Sequence, residues 1–466
     1  MDQSMNDCPV RMQAIMQPDA IAITSDKQQL TFAQLDQQIC DLSEQLFKLG
    51  LTSGDRLICI ATNSLQLLLL QLTCLRHAII FSPINPHFSR QEIETRINLL
   101  ASEFIWHQQT DSALGYPSLP LDFSRRCEPV SGLSPYLLDA SKAVNIIFTS
   151  GSSGTPKAAM HCFSNHFYSA IASQERISLN RGDINLLSLP LFHISGYATV
   201  IRTIMAGATL LIDTQKLSVN LLKEKQITHL SLVAKQLYEL LQHDQFQHQA
   251  LAIKHLLLGG SAFSQALLQQ TAERGFCYHL SYGLTEMSSQ VATSTNTSEL
   301  QILKYAQIKI VEGEIYLRGK TRFMGYFNNA VDAPLIAAES WFATKDLGRL
   351  DNGLLQIVGR KDRQFICAGE NIQPEEIERL LIEHPAINQA HVVSLEHPSF
   401  GQQPVAFIAA QRLPSHQQLN DYLTPKLSRY KRPLYYFPMP EQSGLKISYQ
   451  QLQQIAQQTV ITTQEP

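Results

Sequence analysis

The stretch Phe148–His161 reads FTSGSSGTPKAAMH, with five hydroxyl side chains, two glycines and a lysine within ten residues. Gly151 and Gly154 permit backbone conformations closed to other residues, so amides there can approach a ligand closely. Thr149, Ser150, Ser152, Ser153 and Thr155 add hydroxyl donors, and Lys157 adds a cation. A predicted strand ahead (NIIFTS, 145–150) and a predicted helix behind (SNHFYSAIAS) make the segment an anion nest suited to phosphate. The spacing is not that of G-x-x-x-x-G-K-[ST], because Gly154 and Lys157 are separated and Ala158 follows the lysine. A Ser/Gly surface linker has the same composition; the strand ahead and Pro156-Lys157 behind favour phosphate over it.

Such a loop needs a frame, and the surrounding sequence alternates strand and helix patterns. INLLSLPLFH (184–193), GATLLID (207–213), THLSLV (228–233), IKHLLLGG (253–260) and FCYHLSYG (276–283) are strand-like. NLLKEKQ, AKQLYELLQH and SQALLQQTAERG between them space apolar residues three and four apart, as amphipathic helices do. That alternation predicts a largely parallel sheet with helices on its faces, and ligands at the carboxyl ends of its strands. The serine-glycine loop, LLGGSA and YGLTE all begin where a predicted strand ends. After about residue 305 the texture becomes strand-rich, with a hairpin predicted around Glu312-Gly313 and a helix starting at QPEEIERLLIEH. The expected fold class is α/β: a large N-terminal domain, 1–361, of doubly wound βα sheets plus a small β-barrel-like part, and a small mobile α+β domain, 362–466. Segment 109–143, rich in Ser, Pro and Asp, reads as a surface excursion.

Composition narrows the function classes. A chain of 466 residues is expected to form two or three domains. Its net charge of −3, with no basic face or tail, excludes a nucleic-acid binder of the usual kind. The longest apolar run, Leu65 to Leu75, is broken by Gln66, Gln71 and Thr73 and falls short of the roughly 20 residues that span a bilayer. MDQSMNDCPV lacks the pattern of a signal peptide. The eight cysteines are scattered, without a C-x-x-C pair or a neighbouring histidine cluster, which argues for reduced thiols and against a disulfide frame or a zinc site. A cytoplasmic protein is expected.

FTSGSSGTPKAAMH resembles the phosphate loop of the adenylate-forming enzymes, the superfamily of acyl-CoA synthetases, luciferases and adenylation domains. LPLFHISG (189–196), LLGGSA (257–262), SYGLTE (281–286), TKDLGRL (344–350), GRKDR (359–363), CAGENIQPEEIER (367–379) and GLKIS (444–448) resemble its further motifs, in the family's order. The likeness covers roughly residues 18–455. Within the family, PKAAMH, LLSLPLFHISG, NIQPEEIER and GLKIS are most similar to the o-succinylbenzoate–CoA ligases of menaquinone biosynthesis. The resemblance implies a two-step reaction. A carboxylate attacks the α-phosphate of ATP to give acyl-adenylate and pyrophosphate, and the thiol of coenzyme A then takes the acyl group and releases AMP. Neither step needs a protein nucleophile; both need developing charge neutralised in place.

On that resemblance, Ser281, Tyr282 and Gly283 belong to the nucleotide site with Gly259, Gly260 and Ser261, which pass the adenine edge, and Tyr282 stacks on adenine. Thr285 approaches the α-phosphate. Glu286 is the Mg²⁺ ligand, and one acid suffices because magnesium takes most of its oxygens from phosphates and water. Asp346 and Arg360 suit the ribose hydroxyls, one accepting and one donating hydrogen bonds; Lys345 stands where the family usually has glycine. Lys446 is the catalytic cation that bridges carboxylate and α-phosphate, although Tyr449 replaces the arginine often found three residues later. Asp362 matches the hinge about which the small domain swings, bringing Gly369 to the pantetheine tunnel. Cys367 reads as a space-filler. Arg429, Lys431 and Arg432 could meet the coenzyme A phosphates or simply end a solvated helix.

His193 is assigned to the acyl substrate and the thiol channel. o-Succinylbenzoate carries a second carboxylate, which needs a cation or dense hydrogen bonding if buried. Arg202 is the first candidate and Lys235 the second, with Ser195, Ser289 and Gln236 as supplements. A ligase for another aromatic or short-chain acid, and an adenylation enzyme that loads a carrier protein, fit the same motifs.

Overall fold

The computed structural model describes residues 5–108, 115–124, 136–149, 156–261, 263–328, 340–367, 370–397, 401–410, 412–440 and 448–464. Two compact units are present: Met1–Gly260 with Ala272–Gln307 and Leu317–Trp341, and Ser261–Thr271 with Ile308–Tyr316 and Phe342–Pro466.

In the first unit a six-stranded sheet runs in the order Gly325–Tyr326, Lys157–Cys162, Ala143–Thr149, Ile80–Ile84, Arg56–Ile60, Ile105–His107. Arg56–Ile60 lies parallel to both of its neighbours. The helix Leu65–His77 precedes Ile80–Ile84, and Ser64 caps it by accepting from the Leu67 amide. Its leucines from Leu67 onward are buried with Phe32, Phe81 and Tyr197 in the main core. The longest apolar run of the sequence is thus a buried helix. Among the described residues no helix is long and apolar enough to cross a membrane.

A second sheet places Leu300–Ile302, Ser289–Thr293, Tyr278–Leu284, His255–Leu258, His229–Leu232, Ile184–Leu186, Thr209–Ile212, Ile21–Ser25 and Gln29–Thr31 side by side. Its centre, from Tyr278–Leu284 to Ile21–Ser25, is parallel throughout. Five of these strands fall on predicted ones. Parallel strands are covered on both faces, so their residues are apolar in near-continuous runs, which is why they were legible.

One local expectation is corrected. The serine-glycine loop does not run from a strand straight into a helix: Ala143–Thr149 and Lys157–Cys162 pair antiparallel, with Thr149 opposite Lys157, and the helix Phe163–Gln174 begins only afterwards. The segment KAAMHC alternates faces and was hidden by its short length; Ala159 and His161 are fully buried on one face.

In the second unit Phe342–Asp351 and Leu354–Arg360 form an antiparallel pair. The expected turn at Glu312-Gly313 is present, both residues having positive φ (51° and 80°). Beyond the turn Lys361–Arg363, a sheet runs in the order Glu370–Ile372, Phe365–Cys367, Gly401–Ala409, Gln389–His397. Helix Pro374–Ile382 has proline in its first turn, with Glu375 and Glu376 at its positive end. It buries Ile377 and Leu381 against Val392, Ala406 and Ile408.

Candidate functional site

In the first unit the residues expected to act on a nucleotide cluster at carboxyl ends of strands. Gly259 and Gly260 follow His255–Leu258, and Ser281, Tyr282 and Gly283 end the neighbouring Tyr278–Leu284. Gly260 has φ +78°, which a side chain would strain, and a Cβ on Gly259 would come within 3.2 Å of Ser281 Oγ. Gly260 is therefore glycine for its backbone conformation, and Gly259 for its closeness to the Ser281 hydroxyl. Ser261 is exposed.

Thr285, Glu286 and Met287 form a single 3-10 turn, followed by Ser288 at φ 54° and Ser289 at φ 107°. Two successive non-glycine residues at positive φ cost roughly 1–3 kcal/mol each and re-aim the chain at the end of the strand. A Cβ on Gly283 would collide with the Ser289 carbonyl, so the fold of this turn demands glycine there. The turn is held from behind. His161 Nε2 donates to the Thr285 carbonyl at 2.7 Å, while Asn145 bridges His161 Nδ1 (3.5 Å) and His166 Nε2 (2.7 Å). Burial brings the His161 imidazole down to about 4, so it is neutral and its Nε2 proton serves the carbonyl.

Glu286 is held by Tyr326, whose hydroxyl donates to Oε1 at 2.6 Å. Lys157 Nζ lies 5.1 Å over the centroid of the same tyrosine ring, a cation–π contact. Tyr326 reaches this position because Gly325–Tyr326 adds to the edge of Lys157–Cys162, Tyr326 opposite Ala159. A carboxylate at the hydroxyl and a lysine over the face thus meet one ring, at the end of the hairpin whose connecting loop carries the hydroxyls. Ser150, Gly151, Ser152, Ser153, Gly154 and Thr155 lie outside the described residues, as do Gly369 and Lys446. The donor set fits magnesium: a hard oxygen ligand, oriented by a neutral hydroxyl and with no second carboxylate recorded against it among the described residues.

The acyl side is built on the helix Ile194–Ala206, with half-buried His193 at its N-cap. The turn before it is braced by Asn63, whose Nδ2 donates to the Leu189 carbonyl and whose Oδ1 accepts from the Leu191 amide, each at 2.9 Å. A Cβ on Gly196 would collide with the Pro190 carbonyl. Two turns further along the helix, Arg202 lines a small recess together with Asn185, His229, Ser231, His255 and Leu257. Its guanidinium donates to Thr199 Oγ1 at 3.1 Å, and Thr199 in turn donates to the Ser195 carbonyl. Burial lowers Arg202 to about 10, still protonated at neutral pH, and among the described residues no carboxylate pairs with it. Lys235 is half-buried and outside the lining of this recess. Gln236 is committed to backbone, accepting from the Val233 amide at 3.1 Å and donating to the Ser188 carbonyl at 3.4 Å. Ser289 belongs to the strained turn.

In the second unit Asp346 and Arg360 are cross-strand partners, Arg360 Nη1 donating to Asp346 Oδ1 at 3.1 Å. Lys345 takes φ 65°, the conformation for which glycine is usual, and its amide is held by Glu314 at 3.0 Å. Arg360 also forks onto Asp362, with both nitrogens at 2.9 Å. Burial works against the charged form of Asp362, but the Arg360 fork offsets it and its carboxyl sits below the usual range. Next along the chain, Arg363 is clamped by Glu375 and Glu378, each at 2.6 Å, and lies 3.7 Å over the ring of Tyr449. The Tyr449 hydroxyl meets His391 Nδ1 at 3.1 Å. Tyr449 is therefore part of this unit's packing, tying the end of the GLKIS segment to the residue after Asp362. Cys367 is buried and its thiol is pushed up by that burial, as a space-filler requires. Lys431 is paired with Glu376 at 2.7 Å and Arg432 donates to Thr424 Oγ1 at 2.6 Å.

Tyr326, His161, Asn145 and Asn63 escape a reading of the sequence alone. His161 closes the hydroxyl-rich stretch itself, and its inward register would follow from recognising Lys157–Cys162 as a strand. A further group contradicts the expectation drawn from scattered cysteines: His255, Cys277 and His279 gather, with donor atoms within 4.8 Å of one another.

Comparison with known proteins agrees with this geometry. The AMP-binding enzyme family matches residues 10–327, and the AMP-binding enzyme C-terminal domain matches residues 376–441. The chain is 32% identical over 459 residues to the 2-succinylbenzoate--CoA ligase of Escherichia coli K12, covering 97% of this chain and 99% of that one. It is similar in structure to a single-substitution variant of E. coli MenE with bound OSB-AMS, with TM-score 0.85 and 30% identity over 98% of this chain and 99% of that one. It is also similar to the o-succinylbenzoate coenzyme A synthetase of Bacillus subtilis in complex with ATP and magnesium ion, with TM-score 0.83 and 26% identity over 96% and 99% of the two chains.

Proposed function

Because the chain belongs to the AMP-binding enzyme family, we propose that it is an acid–thiol ligase that adenylates o-succinylbenzoate with ATP and passes the acyl group to coenzyme A, for menaquinone biosynthesis. The observation that carries the substrate is Arg202, a half-buried residue whose guanidinium has no acidic partner among the described residues and lines a recess beside the acyl helix. A buried unpaired charge is costly, and a ligand carboxylate relieves that cost. A simple fatty acid offers nothing to this group once its own carboxylate is at the phosphate.

The remaining residues divide the work. The loop 149–157 holds phosphates, Gly259 to Ser261 and Ser281 to Gly283 hold the base, and Asp346 and Arg360 hold the ribose. Magnesium, when bound by Glu286, neutralises phosphate charge. Thr285 is held at the α-phosphate by the His161 brace. His193 and Ser195 flank the acyl path, with Arg202 at its far end. Lys446 stabilises the charge that develops as the acid displaces pyrophosphate, a role that requires only placement and a fixed positive charge. Residues 361 and 362, where the sequence sets the domain boundary, are read as a hinge: rotation about Asp362 exchanges Lys446 for the loop that contains Gly369. The Arg360–Asp362 fork then serves as the latch of one orientation, and Tyr449 keeps the lysine segment attached to the moving body. A cytoplasmic enzyme acting on small molecules, with no nucleic-acid partner, fits the composition and charge.

The test is coenzyme A-dependent AMP formation by the purified protein with Mg²⁺, ATP and a panel of carboxylic acids. o-Succinylbenzoate is expected to be turned over with the highest kcat/KM. Preference for a monocarboxylate overturns the substrate, and release of product only to a carrier protein overturns the acceptor.

A further inference from the structure

We propose that His255, Cys277 and His279 form a binding site for a divalent transition-metal ion of the zinc class, at the end of the parallel sheet remote from Glu286. Strand pairing creates the site. His255–Leu258 and Tyr278–Leu284 are parallel, with Leu256 opposite Tyr278 and Leu257 opposite His279, so His255 stands beside Cys277. Cys277 and His279 are two residues apart and share a face of the sheet. Glu286 follows the other end of the same strand, roughly 20 Å away at the usual rise per residue; His255 also lines the Arg202 recess, whereas Cys277 and His279 lie outside that lining.

The donor atoms are spaced for a tetrahedral ion. His279 Nε2 lies 2.9 Å from His255 Nδ1 and 3.6 Å from Cys277 Sγ, and all three donors fall within 4.8 Å of one another. Zinc bonds of about 2.0–2.1 Å to nitrogen and about 2.3 Å to sulphur, at tetrahedral angles, set donors about 3.3 Å (N to N) and about 3.6 Å (N to S) apart. The His279–Cys277 spacing already matches, the nitrogen pair opens by a few tenths of an ångström, and the His255–Cys277 pair, within 4.8 Å, closes by at most about 1.2 Å. Outer contacts orient the ligands: Thr295 Oγ1 sits 3.0 Å from His279 Nδ1, turning Nε2 towards the other donors, and the Asn296 side chain hydrogen-bonds the Cys277 sulphur. Two imidazoles and a thiolate select zinc, cobalt or nickel over magnesium and calcium, which take oxygen. Three protein donors leave the fourth position to water. Binding transfers the Cys277 thiol proton to solvent as the sulphur–metal bond forms, with no change of oxidation state.

The full-length protein is titrated with Co²⁺ in excess Mg²⁺ and without nucleotide, so that the magnesium site does not contribute. One equivalent is expected to produce a thiolate-to-cobalt charge-transfer band in the near ultraviolet with tetrahedral d–d absorption, both lost on adding Zn²⁺. Zn²⁺ is expected to raise the melting temperature in a concentration-dependent way, reversed by chelation, since it binds the folded chain. Cys277→Ser should abolish the charge-transfer band and weaken Zn²⁺ binding about tenfold or more, while pyrophosphate release without added Zn²⁺ is unchanged. A wild-type titration with no thiolate band overturns the site whatever the variant does. So does undiminished Zn²⁺ affinity in Cys277→Ser.

Discussion

Arg202→Ala separates a substrate-binding arginine from a structural one. Burial takes this guanidinium from the ordinary arginine range down to about 10, and at about 1.36 kcal/mol per pKa unit the charge is held at a disadvantage of about 3 kcal/mol. A carboxylate at about 4 Å in a medium of effective dielectric about 20 returns about 4 kcal/mol, so the two magnitudes match. Removing the guanidinium should therefore lower kcat/KM for o-succinylbenzoate by about 100-fold, since about 1.4 kcal/mol is tenfold. The control is the same acid without its second carboxylate, which gains nothing from Arg202 and should lose less than about threefold. Pyrophosphate release is the assay, with both substrates and both proteins forming a double-mutant cycle. The free variant should melt no lower than the parent, because a charge disfavoured by its surroundings has been removed. Equal losses with both acids, or a fall in stability large enough to account for the activity, would refute the reasoning.

Three further outcomes are expected. Tyr326→Phe removes the 2.6 Å hydrogen bond to Glu286; at about 1.5 kcal/mol for a half-exposed bond to a charged group, the Mg²⁺ concentration for half-maximal adenylation should rise about tenfold, and an unchanged Mg²⁺ curve counts against the brace. Lys446→Gln should slow adenylation by about 100-fold or more yet leave acyl transfer from preformed acyl-adenylate to coenzyme A within a few-fold, as measured by single-turnover kinetics. His161 has a folded pKa of about 4 against 6.5 unfolded, so its contribution is complete above pH 6.5 and is lost as pH falls towards 4. It alone should cost about 2 kcal/mol at pH 5, read as a difference between urea midpoints at pH 7 and pH 5 that shrinks in His161→Gln.

What was legible in the chain was what local chemistry dictates. Gly260 must adopt a positive φ and Gly283 must admit a carbonyl, so both had to be glycine, and the parallel strands had to be apolar because both faces are covered. The hydroxyl-rich loop was read from its composition, but its setting was not: Lys157–Cys162 alternates over too few residues to be told from a helix start. Tyr326 was missed because its ring meets Glu286 and Lys157 only after a two-residue strand docks on the sheet edge.

The amino-acid sequence by itself determined the order of the elements, the positions where only glycine is tolerated, and the residue types able to bind phosphate, since these depend on neighbours within a few positions. Tertiary structure alone decided which side chains share an environment: Arg202 with no carboxylate partner among the described residues, Tyr326 on Glu286, Tyr449 beneath Arg363, and His255 beside Cys277 and His279. Strand register and burial make those meetings, and both are properties of chain segments far apart in sequence.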